Sequence, residues 1–140
     1  MINNIRFKIK KIFFLNNLII YIKFLLSLGL EREAKYIKKN YKFNISVDIG
    51  SNTGHFTNML RKISKKTYSF EPIEYLFKSQ KYLFKNSNVI IYNCALGAVK
   101  QKKKFYIPFN NEPEASLIKK NNSKIVNVKI NRGDNIIKKK

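Results

Sequence analysis

The chain is 140 residues long, enough for one domain that buries roughly two-thirds of its unfolded surface. It carries 29 Lys+Arg against 8 Asp+Glu, a net charge of +21, yet 44% of its residues are hydrophobic, which excludes a disordered polycation. One cysteine and one histidine exclude an internal disulfide framework and a Cys/His metal cluster.

In chain order, the first element is an apolar stretch over residues 5–30, with Asn16, Lys23 and Ser27 forming a narrow polar stripe and Gly29 near its end. The first reading is a helix packed on the domain that follows. The second is an interfacial helix in peripheral contact with a membrane, with Lys8, Lys10 and Lys11 toward anionic lipid. Lys23 and two Asn argue against a span, and no small-residue cleavage site marks a signal peptide. Residues 31–43 read as a charged helix or linker. The chain therefore divides into a basic, helical segment 1–43 and a domain 44–140.

Residues 44–50 predict a short buried strand with a glycine stop. Phe56, Met59, Leu60 and Ile63 share one helix face, and Thr67–Glu71 predicts a second strand closed by Pro72. A second helix over 73–86 turns Ile73, Leu76, Phe77, Leu83 and Phe84 inward, with Glu74 and Lys78 paired outside. Val89–Asn93 is the third strand. Strand–helix–strand–helix–strand with short turns predicts a right-handed parallel α/β sheet. After Gly97 the alternation stops. Residues 104–107 and 125–130 predict two further strands, joined by a polar loop from Pro108 to Ser123 and followed by a polar turn over 131–135.

The segment Val47-Asp48-Ile49-Gly50-Ser51-Asn52-Thr53-Gly54 lies at the carboxyl end of the first strand and opens a helix, where open α/β sheets bind ligands. Gly50 permits a tight turn, and the helix start after Gly54 favours an anionic group such as a carboxylate. Glu71 ends the second strand, 21 residues after Gly50, placed to accept hydrogen bonds from ribose hydroxyls. Asn93 ends the third strand, near where an adenine edge would lie. The G-x-x-x-G spacing is neither the dinucleotide fingerprint nor a P-loop. Asp48 would repel a pyrophosphate but suits an ammonium group. S-adenosyl-L-methionine has the matching pieces: ammonium, carboxylate, ribose and adenine.

Asp48–Thr57, then Phe70-Glu71-Pro72, then Asn93-Cys94-Ala95-Leu96-Gly97 together resemble the FkbM family of methyltransferases. That family's pattern runs D-x-G-A-N-x-G-x-x-T, F-E-P and N-x-A-L-G. The match spans residues 44–137, with Ser51 replacing the more usual Ala. The resemblance implies a Rossmann-like class I fold transferring a methyl group from S-adenosyl-L-methionine, usually to a hydroxyl of a sugar or natural product. By position it assigns Asp48, Gly50, Ser51, Asn52 and Gly54 to the methionine end of the cofactor. It assigns Glu71 to the ribose and sets Asn93 and Ala95 near the adenine. It identifies no catalytic base. Similar proteins continue into a fourth strand reading I-K-I-D-x-E-G, which lies beyond Lys140. The expectation is an incomplete sheet, weak cofactor binding and little turnover.

The charge has two readings. Lys, Asn, Ile, Phe and Tyr make up 82 residues against 4 Arg and 4 Ala, a skew that AT-rich codons produce in any protein. Nucleotide bias is the first reading, and a basic surface for nucleic acid the second. Two other functional readings therefore remain open: a non-catalytic, membrane-associated remnant of the fold, and an RNA methyltransferase. His55 reads as a structural position before a catalytic one, Cys94 as a buried small residue, and Arg132-Gly133-Asp134 as a turn. The cysteine usage suits a reducing cytoplasm.

Overall fold

The computed structural model describes residues 32–108, 115–119 and 122–137. The apolar stretch 5–30 lies outside the described residues. Helix α1 (Arg32–Asn40) has Glu33 in its first turn and Lys38 and Lys39 in its last, the order that complements a helix dipole. It docks through Ala34, which packs with Met59 and Ile63 of helix α2 (His55–Ile63). Of the two readings of this segment, charged helix or linker, the structure shows the helix, which runs almost directly into the first strand.

That strand, β1 (Phe43–Ile49), pairs parallel with β2 (Ser64–Phe70), which pairs parallel with β3 (Val89–Tyr92). Helix α3 (Glu74–Leu83) connects the last two. The sheet order is β1-β2-β3, so the predicted parallel α/β architecture stands. Strand β2 begins three residues earlier than periodicity suggests. Ser64, Lys65 and Lys66 carry no apolar signal, yet Ser64 pairs with Phe43 and Lys66 with Ile45.

Two expectations about burial need correction. β1 is not a buried strand: Ile45 is 54% exposed and Ile49 63%, with Val47 exposed between them. Its opposite face carries Ser46 and Asp48, beside Thr67 and Ser69 of β2. Ser46, Thr67 and Ser69 are buried, and Thr57 of α2 bonds Asp48. The helices therefore cover the polar side of β1, and the apolar side faces out. Phe56 is likewise exposed, because α2 turns Thr57 and Asn58 inward with Met59. On the face of Ile45 and Val47, the rings of Phe70 and Tyr92 stack at 5.2 Å.

The remaining strands form a second sheet in the order β4-β6-β5. β4 (Ala95–Leu96) runs parallel to β6 (Ser123–Asn131), and β5 (Gln101–Pro108) runs antiparallel to it. Ile107, Val128 and Ile130 are buried. Ile107 packs with Ile73 and Leu76, joined by Phe105, Ala115 and Val126, so the hairpin closes against α3. The polar turn is a short helix, α4 (Gly133–Ile136), with Arg132 bonded to Asp134 at 3.0 Å. Among the described residues no helix is long and apolar enough to cross a membrane.

The alternation along the hairpin makes a direct prediction. Ile107→Ala, at a 4% exposed position, costs about 2–5 kcal/mol in urea unfolding, whereas Ile125→Ala, at 54%, stays within about 0.5 kcal/mol. Equal losses, or a larger loss at Ile125, would contradict this assignment of the hairpin faces.

Candidate functional site at the carboxyl edge of the parallel sheet

The strand register brings the candidate residues into a row. Ile49 pairs with Phe70 and Phe70 with Tyr92, so Gly50, Glu71 and Asn93 follow side by side at one edge. Backbone bonds fix this level: Gly50 N–H donates to Phe70 O at 2.9 Å and Glu71 N–H to Tyr92 O at 3.0 Å. Residues separated by 21 and 22 positions are thereby set at neighbouring strand ends.

Between β1 and α2 the chain makes a compact loop. Gly50 and Gly54 take φ of 74° and 86°, and Asn52 takes 50°. A side chain at Gly54 would meet the Phe84 ring at 3.0 Å, so the loop rests directly on the end of α3. At Gly50 the same construction meets nothing within 4 Å. The loop is therefore open on one side and packed on the other.

A buried polar network holds it there. The Gln80 carboxamide, fully buried on α3, donates to Ser51 Oγ at 2.8 Å and to the Asn52 carbonyl at 2.6 Å. Its oxygen accepts from Ser69 Oγ at 2.9 Å and lies 3.2 Å from Ser51 Oγ. Thr57 Oγ1 donates to Asp48 Oδ2 at 2.6 Å and lies 3.3 Å from Ser69 Oγ. Asp48 and Ser51 are thus fixed by neighbours from three other elements. Gln80 is absent from the sequence-predicted site. Its signal was a polar residue within the Leu76–Gln80–Phe84 stripe, where i, i+4, i+8 spacing puts all three on one face.

Glu71 is 2% exposed, and both of its carboxylate oxygens receive backbone donors. Oε2 accepts from Asn52 N–H and Oε1 from Ile73 N–H, each at 2.7 Å. The carboxylate thus clamps the glycine loop to the turn that starts α3. Burial pushes its pKa up; the two backbone donors oppose that shift and nearby Asp48 adds to it. Asp48 is also raised by burial, against the bonds from Thr57. Two carboxylates in the same neighbourhood, each partly desolvated, make this the negative pole of a basic chain.

Asn93 Nδ2 donates to the carbonyls of Glu71 and Pro72 at 3.0 and 3.3 Å, tying the third strand end to the second. Ala95 is drawn away into β4, where it pairs with Ile130. Asp48, Gly50, Ser51, Asn52, Gly54, Glu71 and Asn93 therefore form one connected set, and Ala95 belongs to the second sheet. His55 is half-buried as the first residue of α2, and Cys94 is 2% exposed with its thiol pKa raised by burial. No group of three or more His, Cys, Asp or Glu that could hold a metal occurs among the described residues. Two open cavities lie elsewhere: about 320 Å³ at the opposite end of β1 and β2, and about 570 Å³ beside Lys100, Lys102 and Lys129.

No model of a known protein family matches the chain, and no curated protein matches it. Several solved structures are similar at low identity. An S-adenosylmethionine-dependent methyltransferase from Leishmania major is 19% identical, with a TM-score of 0.39, over 45% of this chain and 27% of that one. Methyltransferase FkbM from Methylobacillus flagellatus is 14% identical, with a TM-score of 0.43, over 69% and 23%. The tRNA methyltransferase TrmI from Aquifex aeolicus is 18% identical, with a TM-score of 0.41, over 64% and 54%. The matches thus span between about a quarter and about half of those proteins' lengths.

Two outcomes follow from the site. Gln80→Leu keeps the volume but strands the Asn52 carbonyl and the serine hydroxyls, costing about 1–3 kcal/mol per group left unsatisfied; a stability within about 0.5 kcal/mol of the parent would contradict the network. For the carboxylates, a raised folded-state pKa means that the folded chain binds more protons than the unfolded chain. Stability falls as pH rises from the ordinary 3.8 of Asp48 and 4.5 of Glu71 until each folded value is passed. Asp48→Asn flattens that slope in a series of thermal melts; an unchanged slope would contradict the assignment.

Proposed function

We propose that this chain is a methyltransferase domain whose parallel sheet binds S-adenosyl-L-methionine at its carboxyl edge. The observation that carries the reading is the row of Gly50, Glu71 and Asn93 beside a loop that is open at Gly50 and rigid at Ser51–Gly54. The motif resemblance to the FkbM family supports the same reading. The chemistry of the residues supports the fit: space at Gly50 leaves room for a ligand against the backbone, and two carboxylates beside the loop are of the type that an ammonium and a ribose diol take as acceptors.

In this proposal Asp48, held by Thr57, takes the ammonium, and the first N–H groups of α2 take the carboxylate. Gly50, Ser51, Asn52 and Gly54 form the wall. Glu71 meets the ribose hydroxyls with the lone pairs left over from its two backbone donors, since a carboxylate offers about four. Asn93 borders the adenine, and Ala95, carried into β4, is left out of the site. The sulfonium supplies the methyl group and the driving force for its transfer. The protein's share is alignment: it keeps the loop and both carboxylates in one geometry before the ligand arrives. The acceptor in this reading is a hydroxyl of a sugar or natural product.

A nucleic-acid acceptor is the second reading, and the hairpin favours it. Lys102 pairs directly with Lys129 across β5 and β6, and Lys104 lies on the same outer face opposite Asn127. Like charges directly opposite are destabilising, so a polyanion would relieve them. RNA affinity that falls steeply and log-linearly with salt would select this acceptor over a neutral one.

The test is calorimetric titration of the full chain with S-adenosyl-L-methionine and, separately, with a dinucleotide. The proposal expects binding of the first alone, weakened about tenfold or more by Asp48→Asn through loss of a charge-assisted contact. Binding of the dinucleotide alone, or an Asp48→Asn affinity equal to the parent's, would overturn it.

A further inference from the structure

Helix α1 docks through Ala34, so the residue two positions on must point away from the domain, since each step turns the helix by about 100°. That residue is Tyr36, 60% exposed. Two more rings lie where the helix passes into β1: Tyr41, 47% exposed, and Phe43, 37%. The three stand in series. Tyr36 meets Tyr41 edge-on with centroids 6.1 Å apart, and Tyr41 lies parallel to Phe43, within 4° and at 6.0 Å.

Hydrogen bonds hold this row still. Tyr41 N–H donates to the Ile37 carbonyl at 3.0 Å, and Asn40 Nδ2 donates to the Tyr36 carbonyl at 2.7 Å. Phe43 is fixed from the other side by its pairing with Ser64. The rings are therefore placed before any partner arrives, which lowers the entropy cost of using them. Rings that only sealed the junction of helix and strand would be turned inward against it. These keep apolar surface in water.

The surroundings of the row are basic. Residues 32–43 hold Arg32, Lys35, Lys38, Lys39 and Lys42 against one acid, Glu33. Arg32 lies four positions before Tyr36 and Lys39 three after it, so both share its helix face, and Lys42 falls between the two parallel rings in sequence. Arg32, Lys39 and Lys42 make no ion pair with any described residue. Farther along the same face of the sheet, Lys66 pairs with Ile45 and its ammonium stands 5.5 Å over the Tyr68 ring. Nucleotide bias accounts for lysines anywhere in the chain. It does not account for cations interleaved with rings that are held in contact and turned to solvent.

We propose that Tyr36, Tyr41 and Phe43, with Arg32, Lys39 and Lys42, form a binding surface for single-stranded nucleic acid. Bases stack on the rings, and the cationic side chains follow the phosphates. Every base has a flat π-face, so this surface tolerates any sequence, while a duplex keeps those faces hidden. The surface lies at the amino end of β1 and stands apart from the cofactor reading. It uses neither the glycine loop nor the carboxylates, and its test contains no S-adenosyl-L-methionine.

The experiment follows the fluorescence anisotropy of labelled oligouridylate and oligothymidylate with the full chain across a salt series. Binding is expected, and Tyr41→Ala weakens it about tenfold with an unchanged salt slope, whereas Tyr41→Phe, which keeps the ring, does not. Tyr36→Ala, on the outer face of α1, repeats that loss without touching the strand. Lys39→Gln and Lys42→Gln carry the complementary signature, each making the log–log salt slope shallower by about 0.7. Tyr82→Ala, which removes an 83% exposed ring from α3, leaves the affinity unchanged. Polyphosphate that competes as well as oligouridylate at equal charge, a loss with Tyr82→Ala equal to that with Tyr41→Ala, or attachment to anionic vesicles in place of the oligonucleotides would overturn the proposal.

Discussion

The Gln80 carboxamide is the interaction on which the rest of the structure depends. It is fully buried, it belongs to α3, and its partners lie in the glycine loop and on β2. A half-satisfied amide in that position would cost more than an apolar side chain of the same shape. All of its donors and its acceptor are used, so the cost is met and the geometry of the loop is fixed. Without that anchor, Gly50 and Gly54 would leave the segment free to adopt many conformations, and Asp48 and Glu71 would have no common frame.

The network also explains why the sheet is polar on its covered side. Ser46 bonds Thr67 at 2.9 Å, Ser69 lies 2.8 Å from Ser51, and Asp48 meets Thr57, all between the sheet and its helices. Short side chains there let α2 and α3 approach closely enough for hydroxyls to reach one another. The aliphatic residues of β1 consequently project to the other face, where Ile45 and Ile49 stay more than half exposed. Parallel sheets are ordinarily covered on both faces, and here one face of β1 and its outer edge have no cover among the described residues.

The order of elements was legible in the sequence, and the reasons are physical. Met59 and Ile63 at helical spacing, and Val89–Tyr92 as a β-branched run, announce their elements because burial selects those patterns. The Glu74–Lys78 pair, 3.1 Å apart on the exposed face of α3, was visible from its i,i+4 spacing. Burial of β1 was misread because an apolar strand sequence does not reveal which side its helices will take. The role of Gln80 was missed because apolar periodicity discards polar residues, although its place in the Leu76–Phe84 stripe was there to be read. The polar start of β2 carried no signal, since backbone pairing with Phe43–Ile45 and not side-chain pattern extends that strand. The engagement of both Glu71 oxygens by backbone N–H groups is a tertiary fact that no local pattern contains.

Charge separates the two poles of this small sheet. Asp48 and Glu71 stand at the carboxyl end, while Lys42, Lys62 and Lys65 gather at the amino end. The net charge of +21 therefore describes the chain as a whole and not its candidate cofactor site. The most direct test of that site is residue-level mapping of S-adenosyl-L-methionine by amide chemical-shift perturbation on the full chain. The account predicts the largest shifts at Gly50–Gly54, Glu71 and Asn93, with the backbone around Lys62–Lys65 unmoved. Shifts confined to the hairpin or to the lysine pole, with the glycine loop silent, would contradict it.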